Sequence, residues 1–258
     1  MKIFDSHIHF DQYEESDKDL IIKSLETNNV EGLITVSMNL PSCKENLRVA
    51  LNNSKVHPAF GYHPEQPLPS EAELDKLLKW INDNQEYMVA VGEVGLPYYL
   101  RSREKSGNFP YKGYVEVLER FILLAKKINK PIILHAVYED ASVVCDLLEK
   151  HSIVKAHFHW FKGDRKTIER MAENKYVVSF TPDILYEEET REVVKAYPLH
   201  LTMAETDGPW PFVGIFHQKM TQPTMIHDVM KEISAIKQIA IEEVYSTIFN
   251  KVKQFYQI

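Results

Sequence analysis

Eight short runs rich in Val, Ile and Phe, each followed by a longer stretch of helical periodicity, constrain this 258-residue chain more than any other feature. The runs occupy residues 1–4, 32–37, 56–61, 87–93, 131–135, 153–159, 176–180 and 199–204. Helical patterns follow at 17–29, 41–53, 69–83, 112–129, 139–151, 164–174 and 187–196, and two more close the chain at 224–236 and 241–256. Strands that are apolar on both faces belong to a parallel sheet covered by helices. Closure into a single (β/α)8 TIM-like barrel is the economical arrangement at this length. A doubly wound open sheet is the alternative, but the chain has no Gly-x-Gly-x-x-Gly or P-loop sequence to serve its switch point. With no short repeat, low-complexity tract or linker-like segment, residues 1–258 read as one domain. The longest irregular segments, 94–111 and 205–221, both follow strands. In a barrel they reach the rim at the C-terminal ends of the strands, where active sites lie.

The same rim would collect the polar residues that end the apolar runs. In Asp5-Ser6-His7-Ile8-His9, the two histidines are two residues apart and share a side of an extended strand. His63 follows the third run, Glu93 ends the fourth, His135 the fifth and His159 the sixth, and Glu205 and Asp207 follow the eighth. Buried imidazoles and carboxylates need partners, and a divalent cation satisfies several at once. Nitrogen and oxygen donors without thiolate suit one or two ions of the Zn, Mn, Ni or Mg type. Two ions about 3.5–4 Å apart can share a hydroxide and brace both the entering and the leaving oxygen. The expected ligands are His7, His9 and Asp207 for one ion and His135 and His159 for the other, with Glu93 bridging.

Charge narrows the partners. With 30 Lys and Arg against 37 Asp and Glu, the net charge is −7, so no diffuse basic surface is expected to read duplex DNA by sequence. No apolar run approaches the roughly 18 residues of a membrane span, and the first residues carry no signal-peptide pattern, which places the protein in the cytoplasm as an expectation. Cys43 and Cys145 are far apart and suggest neither a disulfide framework nor a Cys-based zinc site; Cys145 has the phase of a small core residue.

Six segments, in order, resemble the TatD-type metal-dependent hydrolases, relatives of the amidohydrolase superfamily. The opening Asp5-to-His9 motif resembles the family's D-[ST]-H-x-H, and Gly61-Tyr62-His63-Pro64 is similar to its G-[IL]-H-P. Gly92-Glu93-Val94-Gly95-Leu96 resembles G-E-[IC]-G-L-D, and Pro131-Ile132-Ile133-Leu134-His135 resembles P-[IV]-x-x-H. His159-Trp160-Phe161-Lys162-Gly163 resembles H-x-F-x-G, which selects His159 over His157, and Glu205-Thr206-Asp207-Gly208-Pro209 resembles E-T-D-x-P. The resemblance implies a TIM-like barrel, one or two divalent metals and phosphodiester hydrolysis, with members that act as deoxyribonucleases.

The chain departs from the family pattern around the substrate. Pro97 stands where the family usually has Asp, and the segments after His135 and near Gln222-Pro223 lack the family's Arg. Lys162, Arg101 or Arg103 would then have to hold a phosphate. His63 is expected to contact substrate or phosphate, or else to be a hydrogen-bonded loop imidazole. Glu205 reads as a group that orients a ligand, and His157 shares the inward phase of His159. His57, His151, His200, His217 and His227 read as ordinary surface or loop residues. Trp210, Phe212 and Phe216, like Tyr98 and Tyr99, could stack a base or simply pack a loop. The leading expectation is a metal-activated hydroxide attacking a small phosphodiester or a nucleic-acid end, with Glu93 and Asp207 positioning the ions and Asp207 accepting a proton. An amidohydrolase or lactonase acting at a carbonyl centre, or a non-catalytic metal-binding protein, remain the alternatives. A bridging carboxylated Lys at the end of the fourth strand would favour the carbonyl chemistry, but the chain has Glu93 there.

Overall fold

The computed structural model describes residues 1–105 and 107–258. Its sheet has eight parallel strands in sequence order, each paired with the next: β1 (Ile3–Ile8), β2 (Val30–Thr35), β3 (Val56–Phe60), β4 (Ala90–Gly95), β5 (Ile132–His135), β6 (Ala156–Phe158), β7 (Val177–Phe180) and β8 (Thr202–Ala204). The order never reverses, so the sheet curls into a barrel and an open doubly wound arrangement is ruled out. Ten helices accompany the strands among the described residues: α1 (Glu15–Ser24), α2 (Leu40–Asn52), α3 (Glu71–Asp83), α4 (Tyr98–Arg103), α5 (Tyr111–Ile128), α6 (Glu139–Lys150), α7 (Arg165–Glu173), α8 (Glu188–Ala196), α9 (Ile226–Lys237) and α10 (Ile241–Tyr256). None of the described helices is long and apolar enough to cross a membrane.

Local chemistry explains the helix starts. The Ser70 hydroxyl accepts from the Glu73 amide while the Glu73 carboxylate accepts from the Ser70 amide, a reciprocal cap that opens α3 two residues later than its apolar pattern suggests. Asn39 caps α2 and Asp164 caps α7 in the same sense. Leu74, Leu77 and Ile81 of α3, and Leu118, Phe121, Ile122 and Ala125 of α5, turn their apolar stripes onto the outside of the barrel.

The barrel interior holds a separate apolar layer. Phe4, Ile34, Ala59, Ala90, Ile133, Val177 and Met203 point inward, and Val252 and Tyr256 of α10 pack against them, with Phe249 and Phe255 alongside. The end of the barrel opposite the rim is therefore plugged by the last helix. Above this layer the inward positions of the strands change from apolar to polar.

Several expected boundaries move, for identifiable reasons. The fourth strand was expected over 87–93, but Gln85–Tyr87 forms a 3-10 turn that continues off α3. The strand instead runs on to Gly95, because Val94 and Gly95 pair with Leu134 and His135. Residues 199–201 form a 3-10 turn, so β8 is only Thr202–Ala204. The sixth strand likewise shortens to three residues. α4 lies in the segment expected to be irregular, since its six residues carry no apolar period. Phe121 is fully buried between α5 and the sheet. We expect Phe121→Ala to cost about 3–5 kcal/mol in chemical denaturation; a loss below about 1 kcal/mol would contradict this packing.

Candidate metal centre

The seam between the last strand and the first builds one half of the site. β8 and β1 share no ladder of their own, and five other hydrogen bonds join them, one of them from the Thr206 hydroxyl to Asp5 Oδ2. The Ser6 hydroxyl donates to the Ala204 carbonyl at 2.9 Å, and the Thr206 amide donates to Asp5 Oδ1 at 3.0 Å. The Asp207 amide donates to the His7 carbonyl at 3.0 Å, and the His9 amide donates to the Gly208 carbonyl at 2.8 Å. These bonds carry Asp207 across to the two histidines. His7 Nε2 and His9 Nε2 lie 3.2 and 3.4 Å from Asp207 Oδ1.

The other half comes from the middle strands. A register shift in β4 between Val91 and Val94 turns the Glu93 carboxylate toward the barrel axis. This needs close backbone approach on both sides. A Cβ on Gly61 would lie 2.6 Å from the Glu93 carbonyl, and one on Gly95 would lie 1.9 Å from the His135 carbonyl. Glu93 Oε2 then lies 3.2 Å from both His7 Nε2 and His9 Nε2. Glu93 Oε1 lies 3.1 Å from His135 Nδ1 and 2.7 Å from His159 Nε2. The ligand-type atoms of His7, His9 and Asp207 fall within 4.8 Å of one another, and so do those of Glu93, His135 and His159. His63 Nε2 is also 3.3 Å from Glu93 Oε1, and the Glu65 amide donates to its Nδ1. All six residues expected as ligands thus meet at one place, and His63 joins them.

The donor set fits divalent cations. His7 Nδ1 and Nε2, His9 Nδ1, Glu93 Oε2, His135 Nε2, His159 Nδ1 and Asp207 Oδ1 are buried with no hydrogen-bond partner, an arrangement that polar groups avoid unless something else engages them. Burial disfavours charge on Glu93 and Asp207, yet the surrounding imidazoles hold both carboxylates well below their usual range. Burial likewise opposes charge on His9, but Asp207 and Glu93 lift it to about 10. His159 is raised well above its usual value by Glu93 and Glu205 against the same burial penalty. The two buried carboxylates are thus ringed by imidazoles, a donor set that a divalent cation would engage.

Surrounding groups fix these side chains. Glu205 Oε1 accepts from the Trp160 amide at 2.8 Å and lies 3.5 Å from His159 Nδ1. Glu65, which sequence reasoning missed, accepts from the Tyr99 and Leu100 amides at 2.8 and 2.5 Å and lies 3.4 Å from His135 Nε2. Its signal was faint: a carboxylate two residues after His63, ahead of a proline-rich segment. Three non-glycine residues at the rim, Tyr138, Trp160 and Asp207, have positive φ of 52, 37 and 50°. Such conformations cost on the order of 1–3 kcal/mol each and persist where the surroundings impose them.

The expected substrate contacts are arranged unevenly. Lys162 Nζ lies 3.4 Å from the buried Asp183 carboxylate and 5.7 Å from the centre of the Trp160 ring. Arg101 is bound to Glu139 and Asp140, each at 2.9 Å, and Arg103 is exposed at the end of α4. Phe212 and Phe216 are buried with Met225 and pack a loop, whereas Trp210 is exposed and stands edge-on to Trp160. Tyr98 packs against Tyr99 and Tyr138, and the Tyr99 ring is 6.1 Å from that of His135. Of the histidines read as ordinary surface groups, His227 on α9 is tied to the Tyr245 hydroxyl, and His151, in the turn that ends α6, to Glu119.

Burial pushes the Asp5 carboxyl up to about 7 even though the Thr206 hydroxyl and amide both donate to it. Asp5→Ala would leave that amide and hydroxyl unpaired at the seam. We expect a loss of about 1–3 kcal/mol by denaturant titration; an unchanged midpoint would remove Asp5 from the closure.

Comparison with known proteins agrees with this geometry. Residues 4–257 match the family described as TatD related DNase. A metal-dependent hydrolase of Haemophilus influenzae, itself uncharacterized, is 38% identical over 257 residues, spanning 99% of this chain and 100% of its own. The human deoxyribonuclease TATDN3 is 28% identical over 98% of this chain and 94% of its own. Among solved structures, the TatD homolog YJJV of Escherichia coli shares the fold with a TM-score of 0.87 at 23% identity, covering 99% and 98% of the two chains. The eight-stranded barrel, the cation-fitting cluster at its rim and these matches together establish that the chain belongs to the TatD-related DNase family and is a metal-dependent hydrolase.

Proposed function

We propose that the protein is a phosphodiesterase acting on a nucleic-acid end or a small phosphodiester. In this reading His7, His9 and Asp207 hold one divalent ion, His135 and His159 hold a second, and Glu93 bridges the two. The observation that carries it is the division of labour within one carboxylate, with Glu93 Oε2 directed at His7 and His9 and Oε1 at His135 and His159. Bound there, the ions supply Lewis acidity at the scissile group and lower the pKa of water.

The chain's own residues do the rest. Asp207 Oδ1, buried between His7 Nε2 and His9 Nε2 at 3.2 and 3.4 Å, is the oxygen assigned to accept a proton from the attacking water. Glu65, held by two backbone amides, keeps the His135 ring turned toward Glu93. His63, 12% exposed at its side chain and 3.3 Å from Glu93 Oε1, is the imidazole assigned to contact a phosphate oxygen. Lys162, paired with Asp183 beside the Trp160 ring, is the cation assigned to exchange that carboxylate for a phosphate oxygen. A net charge of −7 favours a substrate that enters by one end over a duplex gripped along its length. The name of the human relative, a deoxyribonuclease, supports the same substrate class.

Purified protein freed of metal should not turn over bis-p-nitrophenyl phosphate or single-stranded DNA, and Mn²⁺ or Zn²⁺ should restore both activities. Turnover of a lactone panel alone would replace this reading with chemistry at a carbonyl. Glu93→Ala should lower kcat by at least ~10³-fold; an active Glu93→Ala would remove the bridging role. Independently of turnover, a metal at 100 times its Kd should stabilise the protein by about 2.7 kcal/mol per site in thermal unfolding. An unshifted transition would mean that the cluster holds no ion.

A further inference from the structure

Beneath His159 the barrel contains a line of buried polar groups for which the proposed hydrolysis has no direct use. The Tyr256 hydroxyl, near the end of α10, lies 2.7 Å from His157 Nδ1. His157 Nε2 lies 2.6 Å from Ser179 Oγ. The Ser179 hydroxyl donates to Glu205 Oε2 in a short hydrogen bond, and Glu205 Oε1 faces His159 Nδ1 at 3.5 Å. His157, Ser179 and Glu205 are fully buried, and Tyr256 is 3% exposed. They occupy inward positions on β6, β7, the end of β8 and α10, between the apolar plug and the rim.

Donor and acceptor chemistry gives this line one direction. The Ser179 hydroxyl donates to Glu205 Oε2, which commits its one proton to that carboxyl group. The Ser179 oxygen must then accept from His157 Nε2–H. That leaves Nδ1, 2.7 Å from the Tyr256 hydroxyl, as the acceptor nitrogen of the ring. Every proton in the line points toward Glu205, and the Trp160 amide adds another donor to it.

We propose that Tyr256, His157 and Ser179 are positioning residues that orient Glu205 so that it accepts a proton from His159 Nδ1, leaving His159 Nε2 as the free electron pair that faces Glu93 and a cation. This rests on the reading of His159 as a metal ligand. The line sets a ring orientation and a tautomer and transfers no proton. It also joins the C-terminal helix to the metal centre, over 99 residues of sequence between Tyr256 and His157.

Two measurements test it. In histidine-selectively ¹⁵N-labelled protein, long-range ¹H–¹⁵N spectra should show His157 protonated on Nε2, and the zinc-loaded protein should show His159 protonated on Nδ1. A His157 proton on Nδ1 overturns the direction of the line. In competitive chelator titrations with Zn²⁺, Ser179→Ala should weaken one of two binding steps by ~10-fold and leave the other within about twofold. Glu205→Gln should weaken the same step, and the double variant should be no worse than Glu205→Gln alone. Tyr256→Phe should give a smaller loss at that step and make the His157 tautomer mixed. Additive losses, equal losses at both steps or unchanged affinities overturn the proposal. A wild-type protein that takes up no Zn²⁺ overturns the functional reading itself, whereas a wild type that binds two ions beside indistinguishable variants overturns only the positioning line.

Discussion

Closure of the barrel between its last strand and its first is the constraint on which the rest depends. No backbone ladder joins these two strands, and the work passes to Asp5, Ser6, Thr206 and the backbone of Asp207 and Gly208. The same hydrogen bonds that hold the seam carry the Asp207 carboxylate to His7 and His9. Folding and site assembly are therefore one event at this edge. The left-handed φ of Asp207 is tolerated because its amide and its carboxylate are both engaged across the seam.

Glu93 is the second organising point, and its situation is electrostatic. A carboxylate at full burial is costly, and here imidazoles from β1, β3, β5 and β6 converge on its two oxygens. The bulge in β4 and the glycines at 61 and 95 remove the side chains that would keep the strands from approaching. A site formed this way is held by rigid strand ends, and the surrounding loops are left to deal with substrate. Those loops carry acid, aromatic and few uncommitted basic groups: Lys162 is shared with Asp183 and Trp160, and Arg101 is bound to Asp140. That scarcity of positive charge leaves no broad basic surface at the rim.

The interior below the rim shows why the barrel is more than a holder of ligands. Its lower layer is apolar and closed by α10, and its middle layer is polar, with His157, Ser179 and Glu205 hydrogen-bonded in series. Such a network is stable only when each member is satisfied, since every unpaired group would carry its full desolvation cost. Tyr256 completes the series from a helix that sequence order places far from the strands it serves.

Much of this architecture was legible in the chain. Continuous apolar runs alternating with helical periods determined the parallel barrel, because strands buried on both faces and short connections leave few other closures. Polar residues at the ends of those runs marked His7, His9, Glu93, His135, His159 and Asp207, since no barrel core accommodates them unpaired. Period two also placed His157 inward beside His159. Other features had no local sign. Glu65 and Asp183 sit in turns, where a carboxylate is ordinary, and only the packing of α4 and of Trp160 against them makes them structural. Pairing between strands moved β4 past Glu93, and a 3-10 turn displaced the start of β8, because hydrogen bonds to neighbours outweigh propensity in segments this short. The sequence by itself determined which side chains end which strands. Which of their atoms face one another was decided by the seam, the bulge and the C-terminal plug, because hydrogen bonds such as that between Thr206 and Asp5, 201 residues apart in the chain, exist only once the barrel has closed.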